Sequence, residues 1–304
     1  MKKIILLVIF SFFILCSCDN EQTSGSFEFT DRNGNTIILP KDPEKVAVLF
    51  SSFADIWVTA GGEVDITVAE SVERGFANET AILVDGGAGK SIDTETLISA
   101  KPDLVICSED VDAQKDTAEL CKKIGIPALS LRVESLEDYI NVLDIFTEIT
   151  GRKDLYEKFG TDVKTKAEEI KSEFNANDTP KILFIRAGSS EKSTKAKNTE
   201  QHFVCGMLKE LGAENIADIA PVLLDGLSFE EILIQDPHYI FISTMGDEQA
   251  AKSNMNSILK KEEWQTLSAV KNGKVYFLPK ELFQFKPNAR WAEAYEYLAE
   301  ILSE

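Results

Sequence analysis

Residues 94–108 align without a gap on residues 229–243. Glu95 falls on Glu230, Pro102 on Pro237 and Ser108 on Ser243, while Leu97-Ile98 and the run 104–107 meet apolar residues at every position. Each stretch reads as a helix that ends before a proline and is followed by a buried strand. A chain that carries this unit in both halves folds as two lobes of one design, and a cleft lies between such lobes. The surrounding pattern repeats too. In the first half, apolar strands at 46–50, 104–107 and 128–131 alternate with helical patterns at 54–60 and 113–124, stopped by Gly61 and Gly125. In the second half, strands at 182–185, 239–242 and 274–278 accompany a helical pattern at 201–211 that ends at Gly212. This alternation implies α/β layering with largely parallel sheets.

The connection between the halves is helical. Ser135 with Asp138 three positions on reads as an N-cap, and apolar residues recur at helical spacing to Ile149 before Gly151 breaks the run. A second helical pattern spans 154–174, about 21 residues or roughly 30 Å at helical rise, enough to cross from lobe to lobe. A helical crossing is stiffer than a loop, so small lobe motion is expected. The division that follows is a first lobe over 30–151, a connecting helix over 152–177 and a second lobe over 178–304.

With 304 residues, 44% of them hydrophobic, the chain can bury a sizeable core, and its net charge of -19 argues against nucleic-acid binding. The first residues read as an address. Lys2 and Lys3 precede an apolar stretch at 4–15, interrupted only by Ser11 and too short to span a membrane. The sequence Leu15-Cys16-Ser17-Cys18 resembles a bacterial lipobox, which implies removal of residues 1–17 and acylation of Cys18. An ordinary secretory signal, cut without lipidation, is the alternative. Residues 18–29 then form a flexible tether, anchored to the membrane without spanning it. Of the remaining cysteines, Cys107, Cys121 and Cys205, the odd number and wide spacing fit neither a disulfide framework nor zinc. They read as buried thiols, with a bridge between Cys107 and Cys121 left open.

Four motifs in order resemble the helical-backbone class of periplasmic binding proteins, the substrate-binding proteins of ABC importers for ferric siderophores, haem or cobalamin. They are Asp31-Arg32-Asn33-Gly34 through Pro40 with Pro43-Glu44-Lys45-Val46, then Ile92-Asp93-Thr94-Glu95 through Ile106 with Gly125-Ile126-Pro127, then 211–217, then Leu227-Ser228-Phe229-Glu230. The resemblance covers about residues 27–304. It implies an α/β fold of two Rossmann-like lobes joined by a long backbone helix, with the ligand in the cleft. It implies a monomer delivering its ligand to a permease dimer with a cytoplasmic ATPase. It also carries permease docking over to Glu95 and Glu230. If Asp93 and Ser228 are N-caps, each Glu occupies the second helical position, where the helix dipole favours a carboxylate.

Ligands of α/β sheets bind beyond the carboxyl ends of strands. In a chain this acidic, the cations expected there stand out: Arg74, Arg132, Arg186, Lys192, Lys195, Lys197 and Lys286. Arg186, directly after a buried strand, leads, followed by Arg132, and Arg74 and Lys195 complete the cationic candidates. Ser52 and the aromatics Phe53, Phe76, Phe283 and Phe285 are expected at the cleft. Converging arginines suit an anionic ferric catecholate or carboxylate. The chain carries only His202 and His238, too few for a zinc or manganese site. Haem, with His202 or Met245 as axial ligand, and cobalamin are the alternative ligands. An extracytoplasmic α/β enzyme is the alternative of another class, but no Gly-x-Ser-x-Gly elbow and no nucleophile–base pair is present. No catalytic residue, resident metal or cofactor is expected. Residues 86–91 imitate a phosphate loop, but Val84 stands where the full pattern needs Gly.

Overall fold

The computed structural model describes residues 25–30, 34, 36–85, 91–174 and 179–304. The signal segment, Cys18 and residues 86–90 lie outside them. The described part opens with an antiparallel hairpin of β1 (Ser26–Thr30) and β2 (Thr36–Pro40). The strand therefore begins inside the stretch assigned to the tether, because Phe27 and Phe29 pack on the core while the residues between them face water.

The first lobe is built on β3 (Val46–Val48), β4 (Ile66–Thr67), β5 (Ile82–Leu83), β6 (Leu104–Ser108) and β7 (Ala128–Leu131). They form a parallel sheet in the order β5-β4-β3-β6-β7. The second lobe contains β8 (Lys181–Ala187), β9 (Lys195–Ala196), β10 (Glu214–Asn215), β11 (Tyr239–Thr244) and β12 (Val275–Phe277). Its order is β10-β8-β11-β12, all parallel, with β9 antiparallel on β8. The two duplicated stretches take the same place. Helix Thr94–Ser99 leads into β6 and helix Phe229–Gln235 into β11, both strands being buried throughout. The match extends to the backbone. Lys101 and Asp236, aligned and each preceding a proline, both have positive φ, 53° and 42°. A proline disfavours right-handed helix in the residue before it, and the left-handed turn ends both helices sharply.

Alternate residues of the central strands serve different cores. Val46, Val48, Leu104 and Ile106 of the first sheet share one buried cluster with Ile182, Phe184, Tyr239 and Phe241 of the second. Their neighbours on the opposite faces enter two separate clusters, one per lobe. The shared core is completed by helix Leu136–Thr150 and by the crossing, which runs Lys153–Tyr156, a π-helical turn at Glu157–Thr161, and Asp162–Glu173. The Tyr139 hydroxyl donates to the Phe159 carbonyl inside the π turn (2.9 Å). The terminal helix Trp291–Ser303 packs along the crossing helix, with Tyr295 donating to Glu210 (2.8 Å). The 178–304 segment thus does more than form a second lobe, since its last helix lines the connection between both.

Trp57 anchors the first lobe's share of this core. It is fully buried, meets Phe146 edge-on at 5.2 Å and donates to the Glu63 carbonyl at 2.7 Å. A Cβ on Gly62 would lie 2.1 Å from Trp57 Cε2. A pinned indole cannot swing aside, so Gly62→Ala should destabilise the protein by about 1–3 kcal/mol through overpacking. Urea denaturation checks this, and a variant as stable as the wild type contradicts the packing.

Candidate functional site in the interlobe cleft

The carboxyl ends of the strands in both sheets meet in two polar clusters between the lobes. In the first, Arg74 Nη1 donates to Ser51 Oγ (2.9 Å) and Ser52 Oγ (3.4 Å), and the Ser51 hydroxyl donates to Glu70. The guanidinium lies over Phe76 at 4.8 Å and over Phe285 of the second lobe at 3.8 Å. A second tie runs beside it. Asn288, fully buried at φ 49°, donates through Nδ2 to the Ser52 carbonyl (2.9 Å) and to Asp55 Oδ2 (2.8 Å). Burial lowers the Arg74 pKa against the pull of Asp55 and Glu70. Arg74, Ser52 and Phe285 therefore hold one another across the lobes.

The second cluster has a different balance. Lys286 of the second lobe pairs with Glu134 of the first (2.8 Å), both side chains being largely covered, and its ammonium lies 4.8 Å from the Phe203 ring centre. Arg132 pairs with Asp110 at 3.2 Å on a more exposed rim. Arg186 and Lys197 make no side-chain hydrogen bond or ion pair among the described residues. Burial lowers the Arg186 pKa, and Glu134 opposes it; burial, then Arg186 and Lys195, lowers that of Lys197. An unpaired, half-buried guanidinium is costly unless an anion completes it.

His202 lies beside these cations, stacked on Phe203 (4.9 Å) and tilted against Phe184 (4.6 Å). Burial first, then Lys286, Arg186 and Lys197, holds its pKa well below the usual value, so the ring is neutral. Nδ1 accepts from the Val204 N–H (3.4 Å), which leaves the proton on Nε2. Nε2 is then a donor and not a free lone pair for haem iron. Among the described residues, no three His, Cys, Asp or Glu are grouped to hold a metal ion.

Two expected cleft residues are elsewhere. Phe53 and Phe283 are 2% and 0% exposed and belong to the shared core. Phe53 faces inward on helix Ser51–Thr59, and Phe283 closes the short helix Lys280–Phe283 against Tyr297. Lys195 sits across the β8–β9 ladder from Arg186 but also lines a separate cavity of about 520 Å³ with Phe229 and Trp264. Asp55, Asn288 and Glu134 had no distinguishing signal in the sequence, since each depends on a partner more than 150 residues away. The three described cysteines are free and buried, so Cys107 and Cys121 do not pair.

Glu95 and Glu230 are exposed in the first turns of helices Thr94–Ser99 and Phe229–Gln235. Asp93 caps its helix by accepting from the Thr96 N–H (3.0 Å), whereas Ser228 makes no side-chain cap. These helices lead into parallel strands, so their N-termini lie at the carboxyl edges of the two sheets, on the side of the cleft.

Periplasmic binding protein is the family that matches residues 46–282. The chain is 25% identical to the uncharacterized ABC transporter substrate-binding lipoprotein YvrC of Bacillus subtilis, over 90% of this chain and 84% of that one. It is 24% identical to the iron(3+)-hydroxamate-binding protein FhuD of the same organism, over 94% and 90%. Its fold superposes on the petrobactin-binding protein YclQ of Bacillus subtilis with a TM-score of 0.74 at 17% identity, over 92% of this chain and 99% of that one.

Asp55 offers a pH test of the first cluster. Burial raises its pKa, opposed by the Asn288 hydrogen bond and then by Arg74 and Arg290. The folded state therefore binds this proton more readily than the unfolded chain, whose Asp titrates near about 3.9. Between that value and the raised one, stability from Asp55 grows as pH falls. Relative to Asp55→Asn, the wild type should gain stability from pH 7 down to about pH 4.5. Denaturation curves that run parallel at both pH values would contradict the buried carboxyl.

Proposed function

The chain belongs to the periplasmic binding protein family, and from that premise we propose that it captures an anionic metal chelate for an ABC importer. The carrying observation is charge: in a chain of net charge -19, Arg186 and Lys197 have no side-chain partner among the described residues and gather with Lys286 near His202. A ferric complex with carboxylate or catecholate oxygens supplies the missing anion, and guanidinium and ammonium donors match such oxygens. The neutral Nε2–H of His202 adds a donor and weighs against haem ligated there. The cleft is assigned to binding and not to catalysis. Arg186 is the principal ligand residue, Arg132 and Lys195 flank it, and Arg74, Ser52 and Phe285 brace the far end.

Glu95 and Glu230 present carboxylates from equivalent places in the two lobes, which suits a permease of two related halves. Cys18 carries the lipid, holding the protein at the extracytoplasmic face of the cell membrane. No helix among the described residues is long and apolar enough to cross a membrane.

Arg186→Ala should weaken binding of an anionic ferric chelate by more than about tenfold, or about 1.4 kcal/mol, in a tryptophan-fluorescence titration. An unchanged dissociation constant removes Arg186 from the site. Glu95→Ala with Glu230→Ala should leave ligand affinity intact and impair uptake in cells. Normal uptake by the double variant defeats the docking role.

A further inference from the structure

Glu134 is the one carboxylate whose charge opposes the lowered pKa values of both Lys286 and Arg186. It reaches Lys286 at 2.8 Å across the lobes, and its side chain is 30% exposed against 16% for Lys286. Asp110 also acts on Lys286, but Glu134 is the one carboxylate in contact with any of the three cations near neutral His202, Lys286, Arg186 and Lys197, among the described residues. We propose that Glu134 is a built-in counter-ion, occupying in the ligand-free cleft the place that an anionic group of the ligand takes. This deepens the anionic-chelate reading and rests on it.

The consequence is selection by charge. A ligand carboxylate or catecholate repels Glu134, displaces it from Lys286 and gains both Lys286 and Arg186, which offsets the ion pair it breaks. A neutral chelate cannot compensate for the loss of that pair, because exchanging a charged partner for an uncharged one leaves the buried ammonium poorly solvated. Glu134 thus competes with the anionic group of a ligand for Lys286 and Arg186, so its charge weakens anion binding and bears little on a neutral chelate that leaves the pair in place. Removing its charge should tighten anion binding, whereas removing Lys286 should loosen it. An ion pair that merely holds the lobes together would shift affinity in the same direction whichever partner is lost.

The experiment titrates wild type, Glu134→Gln, Lys286→Met and Asp110→Asn with ferric citrate and with a neutral ferric trihydroxamate. The Asp110 variant removes an equal charge that pairs with Arg132 and acts on Lys286 without touching it, and so separates the local field from the contact that Glu134 makes. Glu134→Gln should bind ferric citrate about tenfold more tightly, exceed the gain of Asp110→Asn, and change trihydroxamate binding less than about threefold. Lys286→Met should bind ferric citrate more weakly. If the wild type binds and Glu134→Gln binds no tighter, or gains no more than Asp110→Asn, the counter-ion role is overturned while the anionic-ligand reading stands. If the wild type ignores ferric citrate and binds the trihydroxamate, the anionic-ligand reading falls and takes this inference with it. Thermal melting of each variant separates lost binding from lost folding.

Discussion

One apolar core runs through both lobes, and the cleft depends on it. A period of two along each central strand sends alternate side chains to opposite faces. In both sheets, one of those faces turns toward the crossing helix and the terminal helix. Val48 and Ile106 of the first lobe, Phe184 and Phe241 of the second, and Phe146, Trp291 and Leu298 from the helices are all at or near zero exposure in one cluster. Fully burying each such side chain contributes on the order of 1.5–3 kcal/mol. Separating the lobes would expose many of them at once. The lobe spacing is therefore set by packing, and the cleft is formed before any ligand arrives.

On this frame the polar clusters divide the work. At one end, Arg74 against Phe285 and Asn288 against Asp55 satisfy their groups across the gap, so that end resists opening. At the other, Lys286 and Glu134 also bridge the lobes, but Arg186 and Lys197 keep charge to spare. Concentrating cations in one place of an acidic protein focuses a positive potential in the cleft while the rest of the surface repels anions. The same cations keep His202 neutral, so a ring that carries charge in acid elsewhere serves here as a fixed hydrogen-bond donor.

The duplication made the fold legible. The matching runs at 94–108 and 229–243 lie in sheets that share a four-strand order, β4-β3-β6-β7 and β10-β8-β11-β12, and even the left-handed residues Lys101 and Asp236 coincide. The long strands were readable because each is apolar at nearly every position. The two-residue strands β4, β5, β9 and β10 were not, since two residues carry no period. Phe53 and Phe283 were misplaced because adjacency to a strand end does not say which side of a following helix turn a ring occupies. The first strand of the hairpin was read as tether because the polar residues that precede it show no period and its own alternation starts only at Phe27. Arg74 was legible as a cleft cation, but its partners Ser51 and Phe285 are 23 and 211 residues away, beyond any local pattern.

The charge logic of the cleft is tested most sharply by titrating the wild-type protein, at two salt concentrations, with metal chelates of graded charge. The series runs from a ferric triscatecholate through ferric citrate and a neutral ferric trihydroxamate to cobalamin. A cation-rich, preformed cleft requires affinity to rise with negative charge on the ligand and to fall as salt is added. Tighter binding of the neutral hydroxamate or of cobalamin than of every anionic chelate, indifferent to salt, would contradict it.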